Sequence, residues 1–358
     1  MRIAFDVSPL SHPLLGIGNY IQGSLGGLVE AAAADGREVV AFAPTSVGGS
    51  GRIRAALADI DVELRTWRLP LSHAARTAWS ALGHPAAERL LGRFDVLHFS
   101  DWMYPPQRDG VRATTIHDLV PLHHPEWTTA RTRAMHGRKY RNAAATCDVV
   151  FVNSAFTGRD VAETLGVASE KIHVAHPAPK SVYRPDGQRA DLGVPYVLTV
   201  ATLEPRKNLQ VLVDAQRLLD GELELAVVGA EGWGEQPLLQ GRGIRRLGYV
   251  SDEELARLYR GAEVVAYPSR FEGFGIPVIE AMACGAPVVT SSHESLDEAS
   301  GNAALRADPE DAAGFASAIV QARGERERLA ALGLEHVRGF SWRAVGDVFL
   351  RGYEAAQR

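Results

Sequence analysis

Short apolar runs rich in Val, Ile and Leu alternate with Ala-rich stretches of helical periodicity along nearly all 358 residues of the chain. Apolar runs separated by helices are typical of parallel strands that are buried on both faces and joined by crossover helices. A chain of this length suits two domains of about 150 residues, each with its own core. The pattern therefore predicts an α/β protein with two parallel sheets.

The predicted strands form two series separated by one polar segment. The first series covers residues 2–7, 38–43, 62–67, 96–99, 113–117, 149–153 and 171–175, with helices at 19–34 and 133–145 among the connections. The second covers 196–201, 223–228, 246–249, 264–267, 287–290 and 303–305. Residues 177–195, rich in Pro, Asp and Gly, interrupt both periodicities and are the best candidate linker. This division predicts domains at 1–178 and 195–338, with a final segment, 342–358, whose amphipathic helix could pack back on the first domain.

Charge and cysteine content exclude several classes of protein. The formal net charge of -5 argues against a protein that binds nucleic acid by neutralising its phosphates. Cys147 and Cys284 are the only cysteines, too few for a disulfide framework or a thiolate metal site. No run reaches the roughly 18 apolar residues of a membrane span, and the start, MRIAFDV, is predicted as a strand rather than a signal peptide. We therefore expect a cytoplasmic protein without a nucleic-acid partner.

The most informative segment begins where the predicted strand 264–267 ends, and reads PSRFEGFGIPVIE over residues 268–280. Pro277 suits the first turn of a helix, and Gly285 suits its left-handed C-terminal cap. The segment is therefore predicted as a strand, a glycine loop and a helix start. At the carboxyl end of a parallel strand, backbone N–H groups and the helix dipole favour an anion, so a phosphate or a sugar hydroxyl fits there.

Two glycines and two glutamates of this segment are candidate binding residues. Gly273 and Gly275 would let a ligand approach the backbone closely. Glu272 lies in the predicted loop and Glu280 about one turn into the helix. We therefore expect their carboxylates to face different parts of one ligand, one carboxylate binding sugar hydroxyls and the other a ribose diol. The competing interpretation is a helix with two solvated carboxylates and a capping glycine loop.

A pair of cations follows the first strand of the second series. Arg206 and Lys207 stand in ATLEPRKN, residues 201–208, between the strand and a helix. Two adjacent cations at a strand end can neutralise a diphosphate as it departs, where transition-state charge accumulates. Such a pair taken alone is usually solvated, so this interpretation depends on the glutamate motif.

A histidine and an aspartate follow a strand of the first series. His117 and Asp118 end the run TTIHD, and the imidazole could hydrogen-bond a sugar hydroxyl or steady positive charge near an anomeric carbon. A lone histidine at a strand end is more often a satisfied structural group. His123 and His124 are interpreted as surface residues, and neither they nor the Asp-x-Asp at residues 59–61 predict a metal site.

Residues 272–289, EGFGIPVIEAMACGAPVV, resemble the Glu-x7-Glu signature of the family 4 retaining glycosyltransferases. The resemblance covers nearly the whole chain, because the glycine-rich run at 15–20, His-Asp, Arg-Lys and the paired glutamates occur in the family's order. It implies the GT-B fold, in which two Rossmann-like domains place their parallel sheets on either side of a cleft. The acceptor then lies mainly on the first domain and the donor on the second.

The resemblance also assigns roles to individual residues. The catalytic set it implies is His117, Glu272, Arg206 and Lys207, with the two cations on the donor diphosphate and the other two side chains on the sugar. The substrate-binding set it implies is Gly16, Gly18, Asp118, Val250, Gly273, Phe274, Gly275, Ile276 and Glu280. Gly16 and Gly18 would lie near the donor phosphates and the acceptor, and Val250 near the nucleotide base. The glycine run is not a dinucleotide fingerprint, because Ile21 occupies the position of the third glycine.

The activity implied is transfer of a hexose to a glycan or lipid-linked glycan. The overall resemblance to bacterial mannosyltransferases of surface-polysaccharide assembly favours GDP-mannose as the donor, and glucose, N-acetylglucosamine and rhamnose donors remain alternatives. The leaving phosphate would accept the proton of the acceptor, and neither a metal nor a cofactor would be required. A lipid-linked acceptor would bring the enzyme to the inner membrane face. The basic segment 131–141 could then make a peripheral membrane contact, although a solvated helix face is the simpler interpretation.

Two alternatives remain at the level of the sequence. One is a GT-B enzyme of different chemistry, such as a nucleotide-sugar epimerase or a pyridoxal-dependent phosphorylase. The phosphorylase would need a Schiff-base lysine, and Lys207 is the lysine near the inferred donor site. The other is a catalytically silent nucleotide-sugar binding protein, which would bind the donor without turnover.

Overall fold

The computed structural model describes residues 1–14, 16–100, 102–219, 221–232 and 241–357. It divides into two compact units. The first consists of Met1–Pro177 and Ser341–Arg358, and the second of Ala178–Phe340. Leu15, which begins the predicted glycine-rich run, lies outside the described residues.

In its described residues, the first unit is built on a seven-stranded sheet in the order β3-β2-β1-β4-β5-β6-β7, and every neighbouring pair is parallel. Its strands are β1 (Arg2–Asp6), β2 (Glu38–Thr45), β3 (Glu63–Arg68), β4 (Val96–Phe99), β5 (Val111–Ile116), β6 (Val149–Val152) and β7 (Ile172–Val174). Strands β4, β5 and β6 are buried at every position. Strands covered on both faces bury every side chain, as in the continuous apolar run VVFV of β6. Strands β4 and β5 also bury polar side chains, those of His98, Arg112, Thr114 and Thr115.

The connections of this sheet are mostly helical. They contain α1 (Gly16–Ala34), α2 (Val47–Ala56), α3 (Ser72–Leu82), α4 (Glu88–Leu91), α5 (Val120–His123), α6 (Ala130–Thr146) and α7 (Ala155–Leu165). The side chains of Ser46, Thr129 and Ser154 cap α2, α6 and α7 by accepting a hydrogen bond from a backbone N–H of the first turn. A side-chain acceptor at this position satisfies one of the N–H groups that the helix itself leaves unpaired.

The described residues of the second unit repeat the arrangement with six parallel strands in the order β10-β9-β8-β11-β12-β13. The strands are β8 (Tyr196–Val200), β9 (Glu224–Val228), β10 (Ile244–Gly248), β11 (Val264–Tyr267), β12 (Val288–Ser291) and β13 (Ala304–Ala307). The helices are α8 (Leu209–Leu218), α9 (Asp252–Gly261), α10 (Ile276–Ala283), α11 (Asp297–Ser300), α12 (Ala312–Gly324) and α13 (Arg326–Val337). Each of the thirteen predicted strands is present within two residues of its predicted bounds, which confirms two parallel α/β sheets.

The C-terminal helix, α14 (Trp342–Ala356), belongs to the first unit. It packs on α1 at glycines. A Cβ atom added to Gly346 would lie 2.1 Å from the carbonyl oxygen of Gly27, and one added to Gly27 would lie 1.8 Å from that of Trp342. Only glycine permits so close a backbone approach. Further along α14, the hydroxyl of Tyr353 lies 2.5 Å from Nδ1 of the buried His98.

Helix α1 begins earlier than the sequence predicted. Gly16 and Gly18 lie in its first turn instead of in a loop before it, and a 3-10 helix, Ser8–Ser11, fills part of the connection from β1. Glycine is tolerated in this helix because Gly18 is buried and closely packed: a Cβ atom added to it would lie 3.3 Å from Cδ2 of Leu14. Packing thus outweighs the low intrinsic helix propensity of glycine.

Most of the segment predicted as a linker is part of the second unit. Tyr183 is only 5% exposed and donates a hydrogen bond to Asp252 at 2.9 Å. Arg260 of α9 donates to the carbonyl of Gln188 at 2.7 Å, and the backbone N–H of Ala190 donates to α9 at 2.9 Å. The Pro and Gly content correctly marked irregular backbone, but these bonds fix that backbone on the unit that follows it.

Candidate functional site

The second unit brings two predicted segments together at the carboxyl ends of β8 and β11. These strands are neighbours, and the strand order reverses between them. A reversal of this kind leaves a crevice in which α/β proteins commonly bind ligands. A 3-10 turn, Pro205–Lys207, follows β8, and the loop 268–275 connects β11 to α10.

The carboxylate of Glu272 is the centre of a buried hydrogen-bonded cluster. Its Oε1 accepts from Nζ of Lys207 at 2.6 Å, from the hydroxyl of Ser269 at 2.5 Å and from the hydroxyl of Tyr267 at 2.9 Å. Its Oε2 accepts from Nη1 of Arg206 at 2.7 Å. The residue is only 7% exposed. The two cations predicted as catalytic in this unit, Arg206 and Lys207, are therefore both direct partners of Glu272.

The charges in this cluster offset the cost of their burial. Burial alone would raise the pKa of Glu272, but Arg206, Lys207 and the hydrogen bonds to its carboxylate hold that pKa at about 2. Burial and Arg206 lower the pKa of Lys207, against the opposing effect of Glu272. The other side of the Arg206 guanidinium donates to Glu204 at 2.8 Å. Glu272 is thus an ionised acceptor at neutral pH and no candidate for a general acid.

Tyr267 joins the cation to the carboxylate. Its hydroxyl accepts from Nζ of Lys207 at 2.9 Å while it donates to Glu272. Burial and the charge of Glu272 raise the pKa of Tyr267 well above its ordinary value, so the phenol keeps its proton. Neither Tyr267, the last residue of β11, nor Ser269, in the loop that follows, was predicted as a site residue from the sequence.

The glycine loop adopts a conformation that requires glycine at one position. Gly275, the residue before α10, has φ 103°, and a Cβ added there would lie 2.7 Å from Cδ2 of Leu296. Ile276 then begins α10, and Pro277 occupies its first turn as predicted. The positive end of the α10 dipole therefore lies beside the Glu272 cluster.

Buried contacts hold the rest of the loop. The backbone N–H of Glu272 donates to the hydroxyl of Ser295 at 3.0 Å. Phe274 is only 2% exposed and packs edge-on against Phe340 with the ring centroids 5.5 Å apart. Gly273, between them, is also buried. The loop is thus fixed by the core before any ligand binds.

Glu280 lies in different surroundings from Glu272. It is 5% exposed on α10 and accepts a hydrogen bond from the hydroxyl of Tyr259 on α9 at 3.2 Å. Burial, with a smaller contribution from Asp252, raises the pKa of Glu280 to about 7. The site therefore contains one carboxylate that is firmly ionised and one that titrates near neutrality.

Val250 is placed by the start of α9. It is partly buried against the core of the second unit and precedes Ser251, whose hydroxyl caps the helix by accepting from the N–H of Glu254 at 3.3 Å. The sequence Ser251-x-x-Glu254 is typical of a capping box, but the carboxylate of Glu254 pairs with Arg257 at 3.0 Å instead of bonding back to the N–H of Ser251.

In the first unit, His117 directly follows β5. Its Nδ1 lies 3.2 Å from Nδ2 of Asn153, and its ring meets the edge of Tyr20 at 5.0 Å. Burial, followed by the charge of Lys139, lowers the pKa of His117 to about 3. The imidazole is therefore neutral at physiological pH, which favours hydrogen bonding over the alternative of a positive charge.

Asp118 makes a local structural contact, and the two glycines, Gly16 and Gly18, lie in the first turn of α1. Asp118 accepts from the N–H of Val120 at 3.1 Å, which forms the turn into α5. Gly16 is exposed at the start of α1 and Gly18 is buried. His123 pairs with Asp160 at 2.6 Å, outside the site. Within the described ranges, no group of three or more His, Cys, Asp or Glu side chains is arranged to hold a metal ion.

Asn153, which follows β6, was also not predicted as a site residue from the sequence. Ile116 of β5 lies opposite Val152 of β6 in the parallel register, so the next residue on each strand, His117 and Asn153, are neighbours. A register of this kind is not visible in the sequence until the pairing of the two strands is known.

Comparison with known proteins identifies the family. The family model described as Glycosyltransferase Family 4 matches residues 24–178, and the model described as Glycosyl transferases group 1 matches residues 194–323. O-antigen chain mannosyltransferase B of Escherichia coli is 31% identical, over 99% of this chain and 100% of that protein. The chain belongs to glycosyltransferase family 4.

Further comparisons relate this family 4 glycosyltransferase to proteins with other names. D-inositol 3-phosphate glycosyltransferase of Nocardia farcinica is 30% identical, over 75% of this chain and 68% of that one. The solved structure of sucrose-phosphate synthase from Thermosynechococcus elongatus matches with a TM-score of 0.73 at 21% identity, over 99% of this chain and 98% of that one. Likeness at this identity concerns the fold, which is GT-B. In the described parts of the family 4 enzyme, no helix has both the length and the apolar character needed to span a bilayer.

Proposed function

We propose that this family 4 glycosyltransferase moves a hexose from a nucleotide-diphosphate sugar to a glycan or lipid-linked glycan, with retention of anomeric configuration. One observation carries the proposal. Arg206, Lys207 and Glu272 form a buried cluster at the carboxyl ends of β8 and β11, beside the N-terminus of α10. This is the charge distribution that a departing diphosphate and an adjacent sugar require.

The cations and the carboxylate have separate roles in the proposed reaction. As the bond between the anomeric carbon and the diphosphate breaks, negative charge accumulates on the phosphate, and Arg206 and Lys207 turn from Glu272 towards it. Glu272, released from these partners, accepts hydrogen bonds from sugar hydroxyls and steadies the oxocarbenium-like sugar. The acceptor hydroxyl attacks from the face that the phosphate leaves, and the phosphate takes its proton. The α10 dipole adds to the cationic charge, so we expect no requirement for a metal.

The remaining site residues are proposed to bind the donor. Glu280, near its pKa at neutral pH, would accept from the ribose hydroxyls, and the backbone at Val250 would meet the base. The loop 273–276 would supply N–H groups to the diphosphate. In the first unit, His117 would donate a hydrogen bond to a hydroxyl of the sugar.

We propose GDP-mannose as the donor and a surface-polysaccharide precursor as the acceptor. The support is the match over the full length of the O-antigen chain mannosyltransferase. A lipid-linked acceptor would bring the enzyme to the inner membrane face. Arg131, Arg138 and Arg141 of α6 are exposed and could contact anionic headgroups, whereas Lys139, which the sequence placed in the same basic segment, is only 1% exposed.

A donor panel tests this function. GDP-mannose, UDP-glucose, UDP-N-acetylglucosamine and TDP-rhamnose are each incubated with the enzyme in EDTA, and release of the nucleoside diphosphate is measured. We expect release from GDP-mannose that is lost in Lys207→Ala and Glu272→Ala and kept in Arg217→Ala, a surface cation of the same unit paired with Asp214. Release from another donor would show that GDP-mannose is not the donor and would identify the sugar that is transferred. The proposal would be refuted if the enzyme neither binds any of these donors nor releases a nucleoside diphosphate from them.

A further inference from the structure

Two buried polar atoms lie at the carboxyl ends of β5 and β6, and neither has a hydrogen-bond partner among the residues that the structure describes. They are Nε2 of His117 and Oδ1 of Asn153. Both belong to side chains that already contact each other, through Nδ1 of the imidazole and Nδ2 of the amide at 3.2 Å. Buried polar atoms in native proteins are almost always paired, so two such atoms on adjacent side chains indicate a ligand that completes them.

The contact between the two side chains determines where the imidazole carries its proton. The amide nitrogen of Asn153 can only donate, so Nδ1 of His117 must accept. Because burial and the charge of Lys139 keep the ring neutral, its single proton is on Nε2. The unpaired nitrogen is therefore a donor, and the unpaired oxygen of Asn153 is an acceptor.

The other polar groups around His117 are engaged elsewhere. The hydroxyl of Tyr20 donates to the carbonyl after β7 at 3.1 Å. Nζ of Lys139 donates to the carbonyl of Thr115 at 2.5 Å. His136, one turn before Lys139 on α6, lies 3.4 Å from the hydroxyl of Tyr140. These groups do not compete for Nε2, although the charge of Lys139 keeps the imidazole from taking a second proton.

The backbone of Asn153 is held on both sides. It follows β6 directly, and Ser154, the next residue, caps α7 by accepting from the N–H of Thr157 at 3.0 Å. Asn153 itself is only 7% exposed. The amide is therefore set in place before a ligand arrives, which lowers the entropy lost on binding.

We propose that Asn153 contacts the substrate and positions His117: it holds the Nε2–H tautomer of the imidazole, and its Oδ1 accepts from the same sugar hydroxyl to which His117 donates. A hydroxyl group both donates and accepts, so it matches one donor beside one acceptor. A phosphate or carboxylate has no proton to give Oδ1, and an ammonium cannot accept from Nε2. The inference rests on the proposed function, since the hydroxyl belongs to the donor sugar or to the acceptor.

The tautomer can be measured without any substrate. In the full-length protein labelled with 15N-histidine, long-range proton–nitrogen spectra distinguish a protonated from an unprotonated ring nitrogen, and His117→Asn assigns the signal. We expect an unprotonated Nδ1 and a protonated Nε2 in the wild type, and a protonated Nδ1 in Asn153→Asp, because a carboxylate can only accept. Asn142→Asp, which makes the same change beside Arg112 in the same unit, should leave the signal unchanged.

Activity provides the second readout. Asn153→Leu should lower turnover about ten-fold or more, the effect of losing one or two hydrogen bonds in the transition state. In Asn153→Asp the neutral ring of His117 has no proton on Nε2. As the pH falls, protonation of the ring to an imidazolium restores that proton, so the activity of this variant should rise. No such rise is expected in the wild type. Loss of both donor hydrolysis and transfer would assign the hydroxyl to the donor sugar, and loss of transfer alone would assign it to the acceptor.

These outcomes separate the inference from the proposed function. A wild-type His117 protonated on Nδ1, or an Asn153→Leu variant as active as Asn142→Asp, would overturn the inference even if GDP-mannose is turned over normally. An enzyme inactive on every donor would refute the proposed function, while the tautomer would still be open to measurement.

Discussion

Replacing Glu272 by Gln should destabilise the second unit by about 3 kcal/mol at pH 7. The pKa of Glu272 is lowered from 4.5 to about 2, and each pKa unit corresponds to about 1.4 kcal/mol. A lowered carboxyl pKa stabilises the fold above the unfolded-state pKa, and this stabilisation is lost as the pH falls from 4.5 towards 2. The substitution keeps the shape of the side chain but leaves two buried cations with less compensation.

Urea unfolding at pH 7 and at decreasing pH measures this effect. We expect the difference between wild type and Glu272→Gln to shrink as the pH falls below 4.5, because the wild-type carboxylate then takes a proton. Glu335→Gln is the matched control, since Glu335 pairs with Arg338 on an exposed helix face and should contribute less than about 1 kcal/mol. Equal stability of Glu272→Gln and wild type at pH 7 would refute the reasoning.

The same variant separates nucleotide binding from transfer. Arg206, Lys207, Glu204 and Glu272 carry no net charge together, and the substitution makes the group positive by one unit. Glu272→Gln should therefore bind GDP at least as tightly as the wild type by calorimetry, while sugar transfer is lost. Weaker GDP binding would show that Glu272 does not compete with the diphosphate for the cations.

Three further predictions concern groups around and away from this cluster. Tyr267→Phe removes the hydroxyl that joins the cation to the carboxylate, and should lower kcat about ten-fold with little change in KM; unchanged kcat would contradict the positioning role. The pKa of Glu280 is raised from 4.5 to about 7, so its stabilising effect is complete below pH 4.5 and lost as the pH rises through 7. Between pH 4.5 and 7, the free energy of unfolding of the wild type in urea should thus fall by about 3 kcal/mol relative to that of Glu280→Gln. A difference between the two proteins that does not change with pH would contradict the raised pKa of Glu280. Gly346→Ala would place a methyl group 2.1 Å from a backbone oxygen of α1 and should destabilise the first unit by about 1–3 kcal/mol, so an unchanged thermal midpoint would contradict the tight packing.

The fold was predictable because the cores of both sheets are built from continuous apolar runs. Strands β4 and β11 were predicted at the bounds observed, 96–99 and 264–267. The start of α1 and the structure of residues 178–194 were not predicted correctly. In both cases packing decided the outcome: Gly18 is buried in a helix, and residues 183–190 are bonded to α9.

The site was predictable only in part, for the same reason. The sequence pointed to Arg206, Lys207 and Glu272, but not to the binding of both cations by the one carboxylate, because that depends on the direction of the side chains. Tyr267 and Asn153 belong to no motif, and they reach their partners because strand pairing brings the strand ends together. The raised pKa of Glu280 comes from burial beneath α9, which the sequence does not reveal.

The central claim is that the second unit breaks the anomeric bond of a nucleotide-diphosphate sugar and that the new bond keeps the same configuration. GDP-mannose labelled with 13C at the anomeric carbon, incubated with the enzyme and a mannose-terminated acceptor in EDTA, reports both events in one NMR time course. The account predicts loss of the donor signal, release of GDP and growth of an α-mannosyl signal, all absent in Lys207→Ala. A β-mannosyl product, or a donor signal that stays constant while calorimetry shows the donor bound, would contradict it.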